Sequence, residues 1–222
     1  MKTSVLILAA GRNWRGWTDR GPKQLALVEG EQLILRTIRQ LKGHRYDKEV
    51  VVVTHNKAVQ AAVPRYFEPA KYYWRWETLI STQVLWAERT IILHGDTIFS
   101  PEAMDAIVAI QEPFMFIGCG NTLYAEAYVF TDHDLVLKAA NAAIDAAYKG
   151  QAGTQPAEVT QTQPYQWGHQ YGHWWFYYTL ANRSPKLAKC YDEKIHLRME
   201  GDYTFDIDTP KTYKKIISRM RI

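Results

Sequence analysis

Three apolar runs constrain this chain more than anything else in it. Thr3–Ala9 (TSVLILA), Glu49–Thr54 (EVVVVT) and Thr90–His94 (TIILH) are far too short to span a membrane and too continuous for half-exposed strands. Such runs form strands covered on both faces, as in parallel sheets flanked by helices. The segments between them supply the helices. Glu31–Lys42 carries Leu33, Ile34, Ile38 and Leu41 at helical spacing. Glu77–Glu88 reads as helical, Pro101–Ile110 opens with a helix-starting proline, and Asp132–Lys149 is an alanine-rich helix. Phe114–Gly118 and Ala127–Phe130 are expected to be further short strands. This alternation predicts a single α/β domain, a Rossmann-like, mostly parallel sheet flanked by helices.

The pattern breaks at Gly150–Gln163 (GQAGTQPAEVTQTQ), which is polar and reads as a loop. An aromatic segment, Tyr165–Tyr178, comes next. Short strands near Ile195–Met199 and at Tyr203–Ile207 and a closing helix from Pro210 complete an elaborated C-terminal third. At 222 residues one domain over the whole chain is expected. The net charge of +4 allows an anionic small molecule without arguing for nucleic acid. Two cysteines, Cys119 and Cys190, match no zinc spacing. The first apolar run breaks at Gly11 with no cleavage-like site. No membrane association and a reducing, cytoplasmic location are the expectation.

The first strand runs directly into LAAGRNWRGWTDRGPKQL, Leu8 to Leu25, where Arg12, Arg15, Arg20 and Lys23 crowd one glycine-bearing loop. At the carboxyl edge of a parallel sheet, such a loop lies where ligands bind. Its backbone N–H groups and its cations suit phosphate oxygens. The spacing fits neither the Walker A pattern nor the dinucleotide fingerprint, and a solvated basic loop is the plainer alternative.

Two acidic segments accompany it. Gly95-Asp96 ends the Thr90–His94 run, which would aim a carboxylate into the crevice, within reach of a hard cation, or merely form a turn. Later, YTFDIDTP (Tyr203–Pro210) carries Asp206 and Asp208 on one side of an extended strand, with Asp208 or Thr209 also suited to cap the Pro210 helix.

Together these segments resemble the signature of the MobA-like and sugar-phosphate nucleotidyltransferases, a family with a GT-A-like fold. The match lies in Leu8-Ala9-Ala10-Gly11, Arg15, Pro22-Lys23 with Leu25, Val28-Glu29-Gly30, then HGD at Asp96, then DIDTP with a tyrosine-bearing helix. Asn13 stands at the family's second glycine, and Gly16-Trp17 replaces the hydrophobic residue usual after the arginine. The resemblance implies that Leu8, Ala9, Ala10, Gly11 and Asn13 wrap a nucleoside triphosphate, CTP or another. Residues 1–130 would form the nucleotide-binding core. Arg15 and Lys23 would neutralise the phosphates, and Gly95 would adjoin them. Asp96, with Asp206 or Asp208, would hold Mg²⁺. Ser81 and Thr82, in WETLISTQVLWA, would offer hydroxyls near the base or ribose, unless that helix is simply amphipathic. The implied reaction transfers an NMP to a phosphorylated small-molecule acceptor, such as a sugar phosphate, with release of pyrophosphate.

YQWGHQYGHWWFYY (Tyr165–Tyr178) admits two readings. In the family the region of about 150–200 builds the acceptor pocket and often a dimer contact. Trp167, His169 and His173 could therefore face an acceptor, while packing against the core or a homodimer partner is weighed slightly higher. The His169–His173 pair has metal spacing but no third ligand. YYWRW (Tyr72–Trp76) is expected beside the nucleotide cleft. Two rivals stand beside the transferase: a glycosyltransferase of the GT-A fold using a nucleotide sugar, and a non-catalytic nucleotide-binding regulator. The LAAG…PK loop speaks against the first, and the presence of Lys23, Asp96 and Asp206 or Asp208 against the second.

Overall fold

The three apolar runs lie side by side at the centre of one sheet. In the computed structural model, residues 1–11, 17, 19–46, 49–72, 74–119, 125–148, 176, 180, 196–199, 205–207 and 209–220 are described. The strands of that sheet are β1 (Thr3–Leu8), β4 (Val50–Val53), β5 (Tyr66–Phe67), β6 (Arg89–His94), β8 (Phe114–Cys119), β9 (Ala125–Phe130) and β10 (His196–Met199). Their order is β10-β8-β9-β6-β1-β4-β5. β1 runs parallel to β4 and β6, β4 to β5 and β10 to β8, whereas β9 is antiparallel to both β6 and β8. The sheet is thus mostly parallel, with one reversed strand.

Because side chains alternate across a strand, the sheet has two apolar faces. Val5, Ile7, Val50, Val52, Ile91 and Leu93 pack under α1 (Leu33–Gly43), α2 (Lys57–Ala62) and α4 (Pro101–Ala109) through Ile34, Leu41, Val59, Met104 and Ile107. Leu6, Val51, Val53, Ile92, Tyr128 and Phe130 pack under α3 (Arg75–Ser81) and α5 (His133–Tyr148) through Trp76, Leu79, Val136, Ala139, Ala140 and Ala143. Small residues on α5 let it lie close to the sheet. Phe176, from the aromatic region, and Leu180, just beyond it, join this second face.

Local chemistry adjusts several boundaries. Leu27–Val28 (β2) and Glu31–Gln32 (β3) form a two-residue hairpin whose turn residues, Glu29 and Gly30, both have positive φ, 53° and 86°. This is the primed turn that tight hairpins favour. It takes up Glu31 and Gln32, so the helix expected from Glu31 begins at Leu33. The helix expected over Glu77–Glu88 starts earlier, where the Glu77 carboxylate accepts from the Trp74 backbone N–H, at 3.0 Å. It also ends sooner. Ser81 and Thr82 donate their hydroxyls back to the carbonyls of Glu77 and Leu79, which competes with helix continuation. A 3₁₀ turn, Gln83–Leu85, comes directly after.

The helix α2, capped by the Asn56 side chain, and the short strands β5 and β7 (Thr97–Ile98) are additions to the expected elements. β7 pairs with β11 (Phe205–Asp206), and α6 (Pro210–Met220) closes the chain, capped by Thr209 through its hydroxyl to the Thr212 N–H. The Gly150–Gln163 loop and most of Tyr165–Tyr178 lie outside the described residues. Among those described, no helix is long and apolar enough to cross a membrane.

Candidate active site

The site assembles where β1 and β6 end together. The Ala9 N–H donates to Val53 O at 2.8 Å, and the Thr54 hydroxyl donates to Ala9 O at 3.1 Å, so the chain leaves the sheet in a fixed direction. Ala9 and Ala10 are buried, and Gly11 begins the loop. The Gly95 N–H donates to Leu8 O at 2.9 Å. A Cβ on Gly95 would stand 3.0 Å from Ala9 Cβ and 3.1 Å from Leu8 O, closer than ordinary contact allows. Gly95 therefore lets the turn after β6 lie directly on the loop after β1.

That contact brings Lys23 to Asp96. Pro22 leads into a single 3₁₀ turn, Lys23–Leu25, which buries the lysine stem and carries its ammonium onto Asp96 Oδ2. The Asp96 side chain keeps 23% of its surface exposed. Burial works against its ionisation, but Lys23, His94 and Arg75 together outweigh it and hold the carboxyl well below the usual carboxylate range. His94 is itself buried, its Nε2 2.6 Å from the Tyr128 hydroxyl. Arg75 comes from the first turn of α3, between the buried Trp74 and Trp76.

The second carboxylate arrives from the far end of the chain. Asp206 stands opposite Thr97 in the β7–β11 pair, and the next residue, Ile207, donates its N–H to Asp96 O at 2.8 Å. Trp17 donates its indole N–H to Ile207 O at 3.0 Å. Leu8, Ala9, Ala10, Gly11, Lys23, Gly95, Asp96 and Asp206 thus converge, although they span nearly the whole sequence.

Ser81 and Thr82, expected to offer hydroxyls near the base or ribose, engage those hydroxyls within the fold. α3 meets the site at Arg75, and Ser81 lies six residues further on, roughly 9 Å along the axis. The Ser81 hydroxyl exchanges hydrogen bonds with the Lys71 backbone as well as reaching Glu77 O. Thr82 is fully buried, donating to Leu79 O and accepting from Trp86 Nε1. Both serve the fold.

Asn13, Arg15, Asp208, Trp167, His169 and His173 lie outside the described residues. Sequence reasoning gives no site role to His94, Tyr128 or Trp17, and it reaches Arg75 only within the Tyr72–Trp76 cluster expected beside the cleft. Only Arg75 has a local signal, a cation held between two tryptophans.

Among the described residues no group of three His, Cys, Asp or Glu could hold a metal ion alone. Asp96, ionised, with Asp206 on the neighbouring segment, nevertheless suits Mg²⁺, which is commonly held by one or two carboxylates together with substrate phosphates and water. The donor set fits the ion.

Comparison with known proteins bears on the fold. The family model described as the MobA-like NTP transferase domain matches residues 5–114. No curated protein matches the sequence. Among solved structures, the CTP:phosphocholine cytidylyltransferase of Streptococcus pneumoniae superposes with a TM-score of 0.59 at 16% identity, covering 99% of this chain and 100% of that one. A Bacillus anthracis protein named as a glucose-1-phosphate thymidylyltransferase gives 0.59 at 13% identity, with 99% and 96% covered. The 4-diphosphocytidyl-2C-methyl-D-erythritol synthase of Anaerococcus prevotii gives 0.55 at 13%, with 99% and 98% covered. At such identities the superpositions establish the fold. The family model takes in the β1 loop, Lys23 and Asp96 and stops short of Asp206, so residues 5–114 are similar to a MobA-like NTP transferase domain.

Proposed function

We propose that the protein transfers a nucleoside monophosphate from an NTP to a phosphorylated small-molecule acceptor and releases pyrophosphate, with Mg²⁺ as its metal. The Lys23–Asp96 pair, seated where the β1 loop meets the end of β6, carries the reading. It puts a cation for the triphosphate beside a carboxylate for the metal. The Streptococcus pneumoniae neighbour is named for CTP and phosphocholine and the Bacillus anthracis one for glucose 1-phosphate, both phosphorylated acceptors.

In this mechanism an oxygen of the acceptor's phosphate attacks the α-phosphorus of the NTP. The bond from that phosphorus to the bridging oxygen breaks, and pyrophosphate departs with the electron pair. An ionised phosphate needs no general base, so the protein's work is positioning and charge neutralisation. The loop after β1 is the segment to which the family resemblance gives the triphosphate. Lys23, with Arg15 in the role the family resemblance gives it, offsets charge growing on the α-phosphate and the leaving group. Asp96, with Asp206 or Asp208, would hold Mg²⁺, which when bound supplies Lewis-acid stabilisation to the same oxygens. A panel of NTPs against phosphorylated alcohols, sugars and cholines, read by pyrophosphate release, tests the reading. Turnover with one NTP–acceptor pair is expected. Release of pyrophosphate that ignores the acceptor throughout the panel would overturn it.

A further inference from the structure

Lys23, Asp96 and Asp206 come from three segments far apart in the chain, and the three segments meet at one buried residue. The N–H of Ile207 donates to Asp96 O at 2.8 Å, and its carbonyl accepts the Trp17 indole N–H at 3.0 Å. Ile207 is fully buried and Trp17 is 5% exposed. Tyr213 of α6 sets its ring edge-on to Trp17, centroids 5.8 Å apart, and donates its hydroxyl to Leu27 O of the β2–β3 hairpin just beyond Lys23. The late acidic segment is thus tied to the end of β6 by one bond of Ile207 and to the distal part of the β1 loop by the other.

We infer that Trp17 is a positioning residue for the proposed reaction, its indole N–H pinning the late acidic segment to the phosphate-binding loop so that Asp206 and Lys23 engage one Mg²⁺–polyphosphate together. This rests on the function proposed above. The plainer account makes Trp17 a packing residue among Val28, Leu33, Ile98, Ile207 and Ile216. The two accounts part over Trp17→Phe, which keeps an aromatic ring in that cluster and removes only the donor.

The test measures binding of inorganic pyrophosphate by calorimetry across a Mg²⁺ series, and backbone hydrogen exchange at Ile207 without metal or ligand. Trp86→Phe is the control, since it removes a comparable indole bond, 3.0 Å to Thr82 Oγ1, away from the site. For Trp17→Phe the Mg²⁺ concentration at half-saturation is expected to rise about five- to tenfold, the loss of one buried neutral hydrogen bond, and Ile207 to exchange faster. Trp86→Phe is expected to stay within about twofold of wild type on both readings. A wild-type Mg²⁺ dependence in Trp17→Phe, or equal shifts in the two variants, overturns the inference and leaves the proposed function standing. Wild-type protein that binds no pyrophosphate at any Mg²⁺ concentration overturns both. Should Trp17→Phe not fold, replacing the Trp17 indole by its sulfur isostere, benzothienylalanine, removes the N–H donor to Ile207 O while keeping the bicyclic ring in the cluster. An unchanged Mg²⁺ dependence there overturns the inference equally.

Discussion

The Lys23 ammonium rests on the Asp96 carboxylate across the seam between the β1 loop and the end of β6. The two residues are 73 positions apart in sequence, and neither could be placed without the other's segment. Lys23 is the group that lets a largely buried Asp96 stay ionised, because burial alone would push its carboxyl up.

That sign sets a pH dependence. A carboxyl depressed in the folded state contributes stability above its unfolded pKa and loses it as pH falls through the folded one. Wild-type protein should therefore gain stability between about pH 3 and 5, where unfolded aspartates ionise. In Lys23→Met, burial opposes ionisation with only His94 and Arg75 against it, so the Asp96 carboxyl moves up and the gain shrinks. Melting temperatures of both proteins across that range check it. Parallel pH profiles would show that Lys23 does not govern Asp96.

Asp96→Asn keeps an acceptor for Lys23 and removes the negative charge. Turnover is expected to fall by about 10²–10³, as for other preorganised electrostatic groups, with a lowered melting temperature because the buried Lys23 loses its carboxylate partner, while the protein stays folded at the assay temperature. Near-normal rates in saturating Mg²⁺ would remove Asp96 from the site.

Gly95→Ala probes the seam itself. The added methyl would stand 3.0 Å from Ala9 Cβ and 3.1 Å from Leu8 O, the latter a backbone atom that cannot swing aside. A loss of about 1–3 kcal/mol is expected, with weaker nucleotide binding as the loop is pushed off. Unchanged binding with unchanged stability would mean that the seam is looser than the contacts imply.

Thr82→Val tests a residue that the family resemblance offers to the base or ribose. Its hydroxyl bonds Leu79 O and Trp86 Nε1, so about 1–3 kcal/mol of stability should go. The KM for the NTP should not change. A raised KM at unchanged stability would return Thr82 to the ligand.

The parts legible in the sequence are those whose signal is local. Val50–Val53 and Ile91–Leu93 are apolar without interruption, so their burial on both faces is readable from composition alone. The Glu29-Gly30 turn is visible in its glycine. The LAAG and PK segments and the two acidic ones are recognisable by type and order, which brings Lys23, Asp96 and Asp206 to one place without any coordinate. What stays hidden depends on tertiary pairing. Nothing near β9 marks it as the reversed strand, because an antiparallel strand buried on both faces carries the same apolar run as a parallel one. Arg75 reaches the field of Asp96 only because α3 is anchored by Trp74 and Trp76. Thr82 resembles a ligand hydroxyl until its burial is known, and the donor role of Trp17 needs Ile207, 190 residues away.

The aromatic segment gives the final prediction, because the structure divides it. Phe176 is fully buried, stacked on Trp76 at 3.9 Å between centroids and edge-on to Phe114 and Phe116. Nothing of its ring faces a ligand. Phe176→Ala should therefore cost about 3–5 kcal/mol as a core truncation and leave the acceptor KM of the surviving folded protein unchanged. Trp167 and His169 lie outside the described residues, and the acceptor-pocket reading assigns them the opposite behaviour. Trp167→Ala or His169→Ala should raise the acceptor KM, leave the NTP KM near wild type and hold the melting temperature. An aromatic face can lie against a sugar ring while a histidine donates to its phosphate. Measuring both KM values with the melting temperature and oligomeric state of all three variants separates the possibilities. If Trp167→Ala and His169→Ala behave like Phe176→Ala, losing stability or subunit contacts with the acceptor KM unmoved, the whole segment is packing and the acceptor pocket must be sought elsewhere.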